Sequence, residues 1–499
     1  MRNHFKYIVA ILLLLFVSVS CTSNFEDVSK NPNASDEALP QALLAPALTS
    51  VVKANMSRTR SLTNELMQVT VLMGDIEGRI FRYDIRKSVA DYLWNNWYVQ
   101  LTNFKDMYET AQTLYTVESD KTYNTYMGIS LICQCWVFSM LTDTYGDIPY
   151  TEACQGKKGI LTPVFDRQED IYTDIFAKLE QANELLANGS DLPEDQVICD
   201  PLFQGNALKW RKLSNSLYLR LLLRVSGKEE ETAAAKIAEI LEERPTDYPI
   251  MTSNDDSAIL RWTGEQPYVS PFYTLRDSDW RTYVLAEFFL DNLNRWNDPR
   301  RPKWADTSNG EYAGVPSGYP VGEEVSARSR LPLALKNDPR LGNIMNYAEL
   351  EFIITEASVK RYISADAETH YKNGVIAALG MWDLTASSAY LDNTSFFWEV
   401  FFILSVFRKI FHILYTRIHL QKYYSLFYTD LQQWFECRRT GYPILPKGAG
   451  LLNGGELPSR LNYPVYLQTT NRKNYYDAVS SQGEDEISTK VWWQRKDNQ

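Results

Sequence analysis

Residues 348–379 read AELEFIITEASVKRYISADAETHYKNGVIAAL, and this stretch decides the fold class. Apolar side chains recur at helical spacing in both halves: Leu350, Ile353, Ile354 and Ala357 in the first, then Ala367, Tyr371, Val375 and Leu379 in the second. This spacing predicts two successive helices. Two helices in about 32 residues come close to the length of a tetratricopeptide repeat. The sequence therefore predicts a mainly α protein built on tetratricopeptide-like helical pairs.

Further helices are predicted in the first half of the chain. They are Thr122–Leu141, a helix that Asp166 begins as its N-cap and that Gly189 ends, and a helix from Asn206 to Gly227. The last carries an apolar stripe with a period of four, and the first is apolar on more than one face. A helix that is apolar all round belongs in the centre of the fold, so we expect Thr122–Leu141 to be central.

The region between the helical parts has a different composition. It is rich in Gly, Pro, Asn and Asp, and turn sequences such as Asn297-Asp298-Pro299 predict loops. One helix is predicted near Tyr283–Leu293. Long irregular segments commonly carry binding sites, so we expect the ligand-binding half of the protein here.

The chain starts with the features of a secretory signal peptide. Arg2 and Lys6 precede an apolar run, Ile8–Val19, that is short for a membrane span. Cys21 stands where cleavage would occur, as in bacterial lipoproteins whose N-terminal cysteine carries acyl chains. The alternative is an ordinary secreted protein with a chance cysteine, since Ser18 stands where bacterial lipoproteins usually carry Leu.

These signals give a complete domain organisation. We predict a signal peptide at 1–20, a lipidated N-terminus and tether at 21–36, and one domain at 37–499, with a helical-pair core at about 90–245 and 345–440, a loop-rich insert at about 250–335 and a loop-rich C-terminal part at 441–499.

Composition limits the possible functions. The formal net charge is −11, and it becomes −13 once Arg2 and Lys6 leave with the signal peptide. This charge argues against nucleic acid as a partner. Histidine is scarce, and the sequence has no H-E-x-x-H, G-x-S-x-G, P-loop or dinucleotide fingerprint. We therefore expect no catalytic residue, no metal and no cofactor, although glycoside hydrolysis by two carboxylates needs no histidine.

Several strings occur together in a fixed order along the mature chain. They are Asn31-Pro32-Asn33, Trp94-Asn95-Asn96-Trp97-Tyr98, Asp143-Thr144-Tyr145-Gly146-Asp147-Ile148-Pro149-Tyr150, Trp210-Arg211-Lys212-Leu213-Ser214-Asn215, Asn297-Asp298-Pro299-Arg300, Arg438-Arg439-Thr440-Gly441-Tyr442-Pro443, Arg460-Leu461-Asn462-Tyr463-Pro464 and Lys490-Val491-Trp492-Trp493. This ordered set resembles the SusD/RagB family of nutrient-binding outer-membrane lipoproteins, in its SusD-like branch.

The resemblance has direct implications. It implies a helical-pair fold with an irregular ligand-binding half. It also implies an outer-membrane lipoprotein, facing the cell exterior, that captures oligosaccharide for a SusC-like TonB-dependent transporter. A secreted glycoside hydrolase and a helical-repeat scaffold that binds only protein are the alternatives.

One stretch departs from the family pattern. Ser395–Leu420 is unusually rich in Phe, and Arg408 with Lys409 interrupts the apolar run before it reaches membrane-spanning length. Three interpretations of this stretch remain open: a helix with unusual packing, a frame-shifted stretch of the gene and a lipid-facing helix.

Saccharide binding needs flat aromatic platforms with polar groups beside them. The insert offers Trp262, Tyr268, Trp280, Arg281, Trp304 and Tyr312 as candidate ligand-binding residues. A second candidate is the loop Asp75–Arg86, with Arg79 and Tyr83. Each aromatic has a core position as its alternative, and Trp296, Trp94 and Trp97 are expected in the core.

Overall fold

The computed structural model describes residues 38–74, 76–394 and 408–495. The predicted signal peptide, Cys21 and the whole predicted tether lie outside these residues, and so do residues 395–407 of the Phe-rich stretch. From Leu39 onward the chain forms one folded unit.

Helices dominate the described residues, in agreement with the predicted fold class. The longer ones are α1 Pro40–Arg58, α2 Val89–Glu118, α3 Lys121–Tyr145, α4 Gln168–Asn188, α5 Ala207–Val225, α6 Glu230–Ala238, α7 Glu287–Arg295, α8 Tyr347–Val359, α9 Ala367–Gly380, α10 Ser388–Thr394, α11 Arg408–Ser425, α12 Gln432–Thr440 and α13 Arg472–Gln482. Short helical turns occupy Asn64–Leu66, Asp277–Trp280, Arg301–Trp304 and Leu467–Thr470.

The strands are short and pair in three antiparallel ribbons. They are β1 Thr70–Val71 with β5 Val284–Leu285, β2 Ile148–Pro149 with β3 Phe165–Asp166, and β4 Ala258–Ile259 with β6 Asn343–Met345. Each ribbon ties together segments that are distant in sequence or separated by a loop.

Helix α3 is the centre of the helical half, as its sequence predicts. It packs against α2 and α4, which precede and follow it in the chain. It is long and apolar enough to cross a membrane, yet its most apolar segment is wholly buried inside the protein. The side chain of Asp120 caps the helix by accepting from the backbone N–H of Thr122 at 2.9 Å. A buried core helix therefore explains the apolar run.

The stretch that decides the fold forms a helical pair, α8 and α9, packed side by side. The side chains of Asn346 and Asp366 accept backbone N–H groups and cap the two helices. A buried ion pair fastens α8 to α5, because Arg220 donates to both carboxylate oxygens of Glu349 at 2.7 and 2.5 Å. Charge-assisted bidentate bonds of this kind fix orientation as well as energy.

Two predicted details are wrong at the residue level. Helix α4 begins at Gln168, and Asp166 is not its N-cap, because Asp166 lies in β3 and accepts the backbone N–H groups of Tyr150 and Thr151 at 2.9 and 3.0 Å. The helix predicted from Tyr283 begins only at Glu287, since the residues before it are taken up by strand β5.

A small second core lies apart from the main one. It consists of Val71, Phe81, Val284, Ala286, Val315 and Tyr319. These residues come from the segment after α1 and from the insert, so the second core joins the two regions that the sequence singles out for binding.

Candidate functional site

The two candidate binding segments meet in the folded chain. Strand β1, just before the loop at 76–86, pairs with β5 of the insert. Arg82 Nε donates to the carbonyl oxygen of Tyr319 at 2.7 Å, and the ring centres of Phe81 and Tyr319 are 5.0 Å apart. The loop and the insert therefore pack against each other in the folded chain.

The three tryptophans predicted as platforms are buried, which corrects the sequence expectation. Trp262, Trp280 and Trp304 are only 4, 1 and 0% exposed. Trp280 Nε1 donates to the carbonyl oxygen of Pro332 at 3.0 Å. The reason is physical: the insert has few long helices, so its large indoles supply the apolar area that its core needs.

Trp296, Trp94 and Trp97 are buried, as expected. Their helical spacing already indicated core positions.

The remaining candidates have varied surroundings. Tyr83 is buried, which contradicts a platform role, and it borders a cavity of about 570 Å³. Arg281 is held by Asp306 at 2.5 Å. Tyr312 is half-buried beneath Arg301, whose guanidinium lies 4.6 Å from its ring centre.

Tyr268 and Arg79 keep access to solvent. Tyr268 lines a cavity of about 870 Å³, together with Arg261, Lys209 and Asn254. Arg79 Nη2 donates to the carbonyl oxygen of Met73 at 3.2 Å. Arg281 and Tyr312 are exposed to a similar degree, so these four are the sequence candidates that a ligand could reach.

A group of arginines and tyrosines lies where the two segments meet. The Arg58 guanidinium is 4.5 Å from the ring centre of Tyr92, and the Arg60 guanidinium is 4.3 Å from that of Tyr283. We include Arg79 in the group, because Arg79, Arg60 and Arg58 all oppose the rise in the pKa of Tyr283. These five residues form the arginine–tyrosine face.

The end of α1 positions two of the arginines. A π-helical turn, Thr59–Thr63, follows the helix, and such turns are frequent at functional sites. Thr59 points inward, since its hydroxyl donates to the carbonyl oxygen of Asp430 at 2.6 Å. Arg58 and Arg60 flank this anchored residue and extend toward the surface.

The turn before β5 holds Arg60 from the other side. Arg60 Nη2 donates to the carbonyl oxygen of Asp279 at 2.6 Å. The Asp279 carboxylate is engaged elsewhere, with Arg276, at 2.8 and 3.0 Å. The acceptor that this turn provides for Arg60 is therefore a backbone carbonyl oxygen and not a carboxylate.

Glu65 lies buried behind the face. Its Oε2 accepts the backbone N–H groups of Phe81 and Leu72 at 3.3 and 3.5 Å. Burial raises the pKa of Glu65 to about 8, against the lowering effect of those N–H groups and of Arg79 and Arg60. Glu65 is consequently uncharged at neutral pH and leaves the positive charge of the face in place.

The other ionisable groups respond to the same surroundings. Burial, with Glu65 beside it, raises the pKa of Tyr283 to about 12, although Arg60, Arg79 and Arg58 oppose the shift. Burial lowers the pKa of Arg58, and the neighbouring tyrosines oppose this. The face thus combines a neutral phenol with three cationic groups.

Sequence reasoning missed Arg58, Arg60, Tyr92 and Tyr283. Basic residues in the last turn of a helix usually just complement the helix dipole, so Arg58 and Arg60 gave no functional signal. Tyr283 looked like the start of a helix. The only sequence hint was the nearby loop with Arg79.

A buried acid–histidine cluster resembles a metal centre in outline only. Possible ligand atoms of Glu356, His419 and Glu436 lie within 4.8 Å of one another. Arg439 already donates to Glu356 at 2.8 and 2.5 Å, and Lys422 pairs with Glu436 at 2.8 Å. Burial lowers the pKa of His419 to about 4. A cation would face two established positive charges here, so the cluster is an internal ion-pair network.

The fold and the arginine–tyrosine face define a class of protein: a mainly helical protein whose irregular half presents a polar and aromatic surface. The SusD-like family model described as "Starch-binding associating with outer membrane" matches residues 32–464. The chain therefore belongs to the SusD-like family, which confirms the resemblance seen in the sequence.

Solved structures show the same fold. A SusD homologue of Bacteroides fragilis NCTC 9343 is 25% identical, with a TM-score of 0.76, over 92% of this chain and 100% of that one. A chitin-binding SusD homologue of Flavobacterium johnsoniae is 20% identical, with a TM-score of 0.76, over 92 and 99%. A SusD-like protein of Bacteroides thetaiotaomicron VPI-5482 is 21% identical, with a TM-score of 0.71, over 90 and 99%. None of the curated proteins matches the chain.

Proposed function

We propose that this chain is an outer-membrane lipoprotein that captures a saccharide on its arginine–tyrosine face and passes it to a SusC-like TonB-dependent transporter. The family description as starch-binding and outer-membrane-associated supports the general role. The observation that carries the location is the Tyr92 ring, 38% exposed and flanked by Arg58, at the junction of two loop-built segments. Aromatic faces stack on sugar rings, and guanidinium groups donate to hydroxyls.

A glycan-array screen of the soluble chain from residue 22 onward tests whether the protein binds saccharide. One pair of variants tests whether the saccharide binds at the arginine–tyrosine face. Tyr92→Ala should weaken saccharide binding by about tenfold, the equivalent of a stacking contact. Tyr115→Ala is the matched control, because Tyr115 lies on the same helix and is 37% exposed. Equal affinities for the two variants would remove the face from consideration.

The Tyr268 cavity is the second candidate site. Its volume of about 870 Å³ is large enough for a short oligosaccharide, and Tyr268 offers a ring beside Arg261 and Asn254. Tyr268→Ala would lower saccharide affinity if this cavity is the site, while Tyr92→Ala would then leave it unchanged.

Anchoring and partnership follow from the proposed role. Cys21→Ala should abolish labelling with palmitate and release the protein from membranes, and continued membrane association would contradict lipidation at this residue. Affinity purification of the tagged wild-type chain from detergent-solubilised membranes should recover a TonB-dependent transporter.

The proposed activity is binding without turnover. Incubation of the purified chain with its bound oligosaccharide should leave the saccharide length unchanged by chromatography. Shorter products would support the glycoside hydrolase alternative, and the absence of any glycan ligand would favour the protein-binding scaffold.

A further inference from the structure

We propose that the arginine–tyrosine face binds an anionic saccharide, through a carboxylate or sulfate group held by Arg58, Arg60 and Arg79. The inference rests on the proposed function and adds the chemical class of its ligand.

Several arginines elsewhere in the protein have a carboxylate partner. Arg220, Arg300, Arg439 and Arg460 are all buried or nearly so, and each is paired with a carboxylate. In these four cases the carboxylate offsets the cost of desolvating the guanidinium group.

The three arginines of the face differ from these four. Within the described part of the chain, no acidic side chain forms an ion pair with Arg58, Arg60 or Arg79. The Arg58 guanidinium lies against the Tyr92 ring, 4.5 Å from its centre. Three partly exposed guanidinium groups without a carboxylate partner point to an anion that arrives with the ligand.

Nearby carboxyl groups do not fill the gap. The Oε2 of Glu65 faces the backbone N–H groups of Phe81 and Leu72. The Asp279 carboxylate is taken by Arg276. Asp91, next to Tyr92 on α2, makes no ion pair with the arginines, and burial raises its pKa. The face keeps its positive charge in a chain whose net charge is −11.

The chemistry of the face selects the ligand class. Guanidinium groups form forked bonds with carboxylate and sulfate oxygens, which neutral hydroxyls cannot match in strength. The adjacent Tyr92 ring, which is exposed, suits the sugar to which that anion is attached. A uronic acid residue and a sulfated sugar both provide this combination.

The test compares oligogalacturonides, chondroitin 4-sulfate oligosaccharides and neutral chito-oligosaccharides by calorimetry on the soluble chain. At least one acidic probe should bind more tightly than the neutral one and weaken as salt is raised. Binding of the oligogalacturonide would identify a carboxylate as the recognised anion. Binding of the chondroitin 4-sulfate oligosaccharide alone would identify the sulfate.

Arg58→Gln and Arg79→Gln should each lower affinity for the acidic probe by about tenfold or more, as expected for a lost charged hydrogen bond. Arg167→Gln is the control, since Arg167 is exposed and pairs with Glu169. Melting curves of both face variants check that they fold, and either folded variant suffices for the comparison.

The outcomes separate the two proposals. Tighter binding of the neutral probe, or equal effects of Arg58→Gln on acidic and neutral probes, would overturn the anionic ligand while leaving saccharide capture intact. Failure of all three probes, with no hit on a glycan array, would overturn both.

Discussion

Replacing Trp280 by alanine should destabilise the protein, although its sequence surroundings suggested an exposed platform. The indole is 1% exposed, its ring centre lies 5.2 Å from that of Phe272, and its Nε1 donates to Pro332 O at 3.0 Å. Truncating a buried Trp to Ala costs about 3–5 kcal/mol. The unpaired Pro332 carbonyl adds roughly 1 kcal/mol.

The expected change in melting temperature follows from the size of the unfolding entropy. About 2.1 cal/mol/K per residue, over the folded unit Leu39–Gln499, gives roughly 1 kcal/mol/K. Trp280→Ala should therefore lower Tm by about 4–6 °C in scanning calorimetry. Trp280→Phe keeps most of the volume and should lose about half as much or less.

Tyr273→Ala is the matched control, because Tyr273 lies in the same insert and is 57% exposed. Its stability should stay within about 0.5 kcal/mol of the wild type. A Trp280→Ala protein that melts with the wild type but has lost saccharide binding would refute the buried placement of this indole.

Further expectations concern buried polar groups. Glu349→Ala should cost about 3–5 kcal/mol in urea unfolding, since it leaves Arg220 buried and unpaired; a loss below 1 kcal/mol would mean that water or another group replaces the carboxylate. The pKa of Glu65 is about 8 in the folded protein against its ordinary 4.5, so its contribution to stability is fully present below pH 4.5 and is lost as pH rises to about 8. Glu65→Gln should remove that decline, which melting curves at pH 5, 7 and 9 would reveal, and parallel pH profiles of the two proteins would contradict it. Asn206→Ala should cost about 1 kcal/mol, because the Asn206 side chain accepts the Lys209 N–H at the start of α5; an unchanged urea midpoint would show that the cap is dispensable.

Periodicity was a reliable guide to the helical half. The spacing in 348–379 predicted both members of the α8–α9 pair, and the all-apolar Thr122–Leu141 segment predicted the central helix α3. These features are local, since three- and four-residue spacing is decided within one helix. Only boundaries failed, as at Asp166, where a long-range strand pairing competed with helix capping.

The candidate site was harder to predict because exposure is a tertiary property. Polar neighbours made Trp280 look exposed, yet the short turn Asp277–Trp280 directs it inward. Arg58 contacts the ring of Tyr92, more than thirty residues further along the chain, and Arg60 contacts that of Tyr283, more than two hundred residues further along. Their role in a binding site depends on these long-range contacts. A pattern within a short stretch of sequence cannot predict such contacts.

The β1–β5 ribbon has a consequence for how members of this family could be recombined. Thr70 pairs with Leu285, and Arg82 bonds to Tyr319 across 237 residues of chain. An insert transplanted alone from a relative would therefore bring half of the surface and lose its partner strand. Ligand preference should move between relatives only when the segment after α1 travels with the insert, as a two-part exchange.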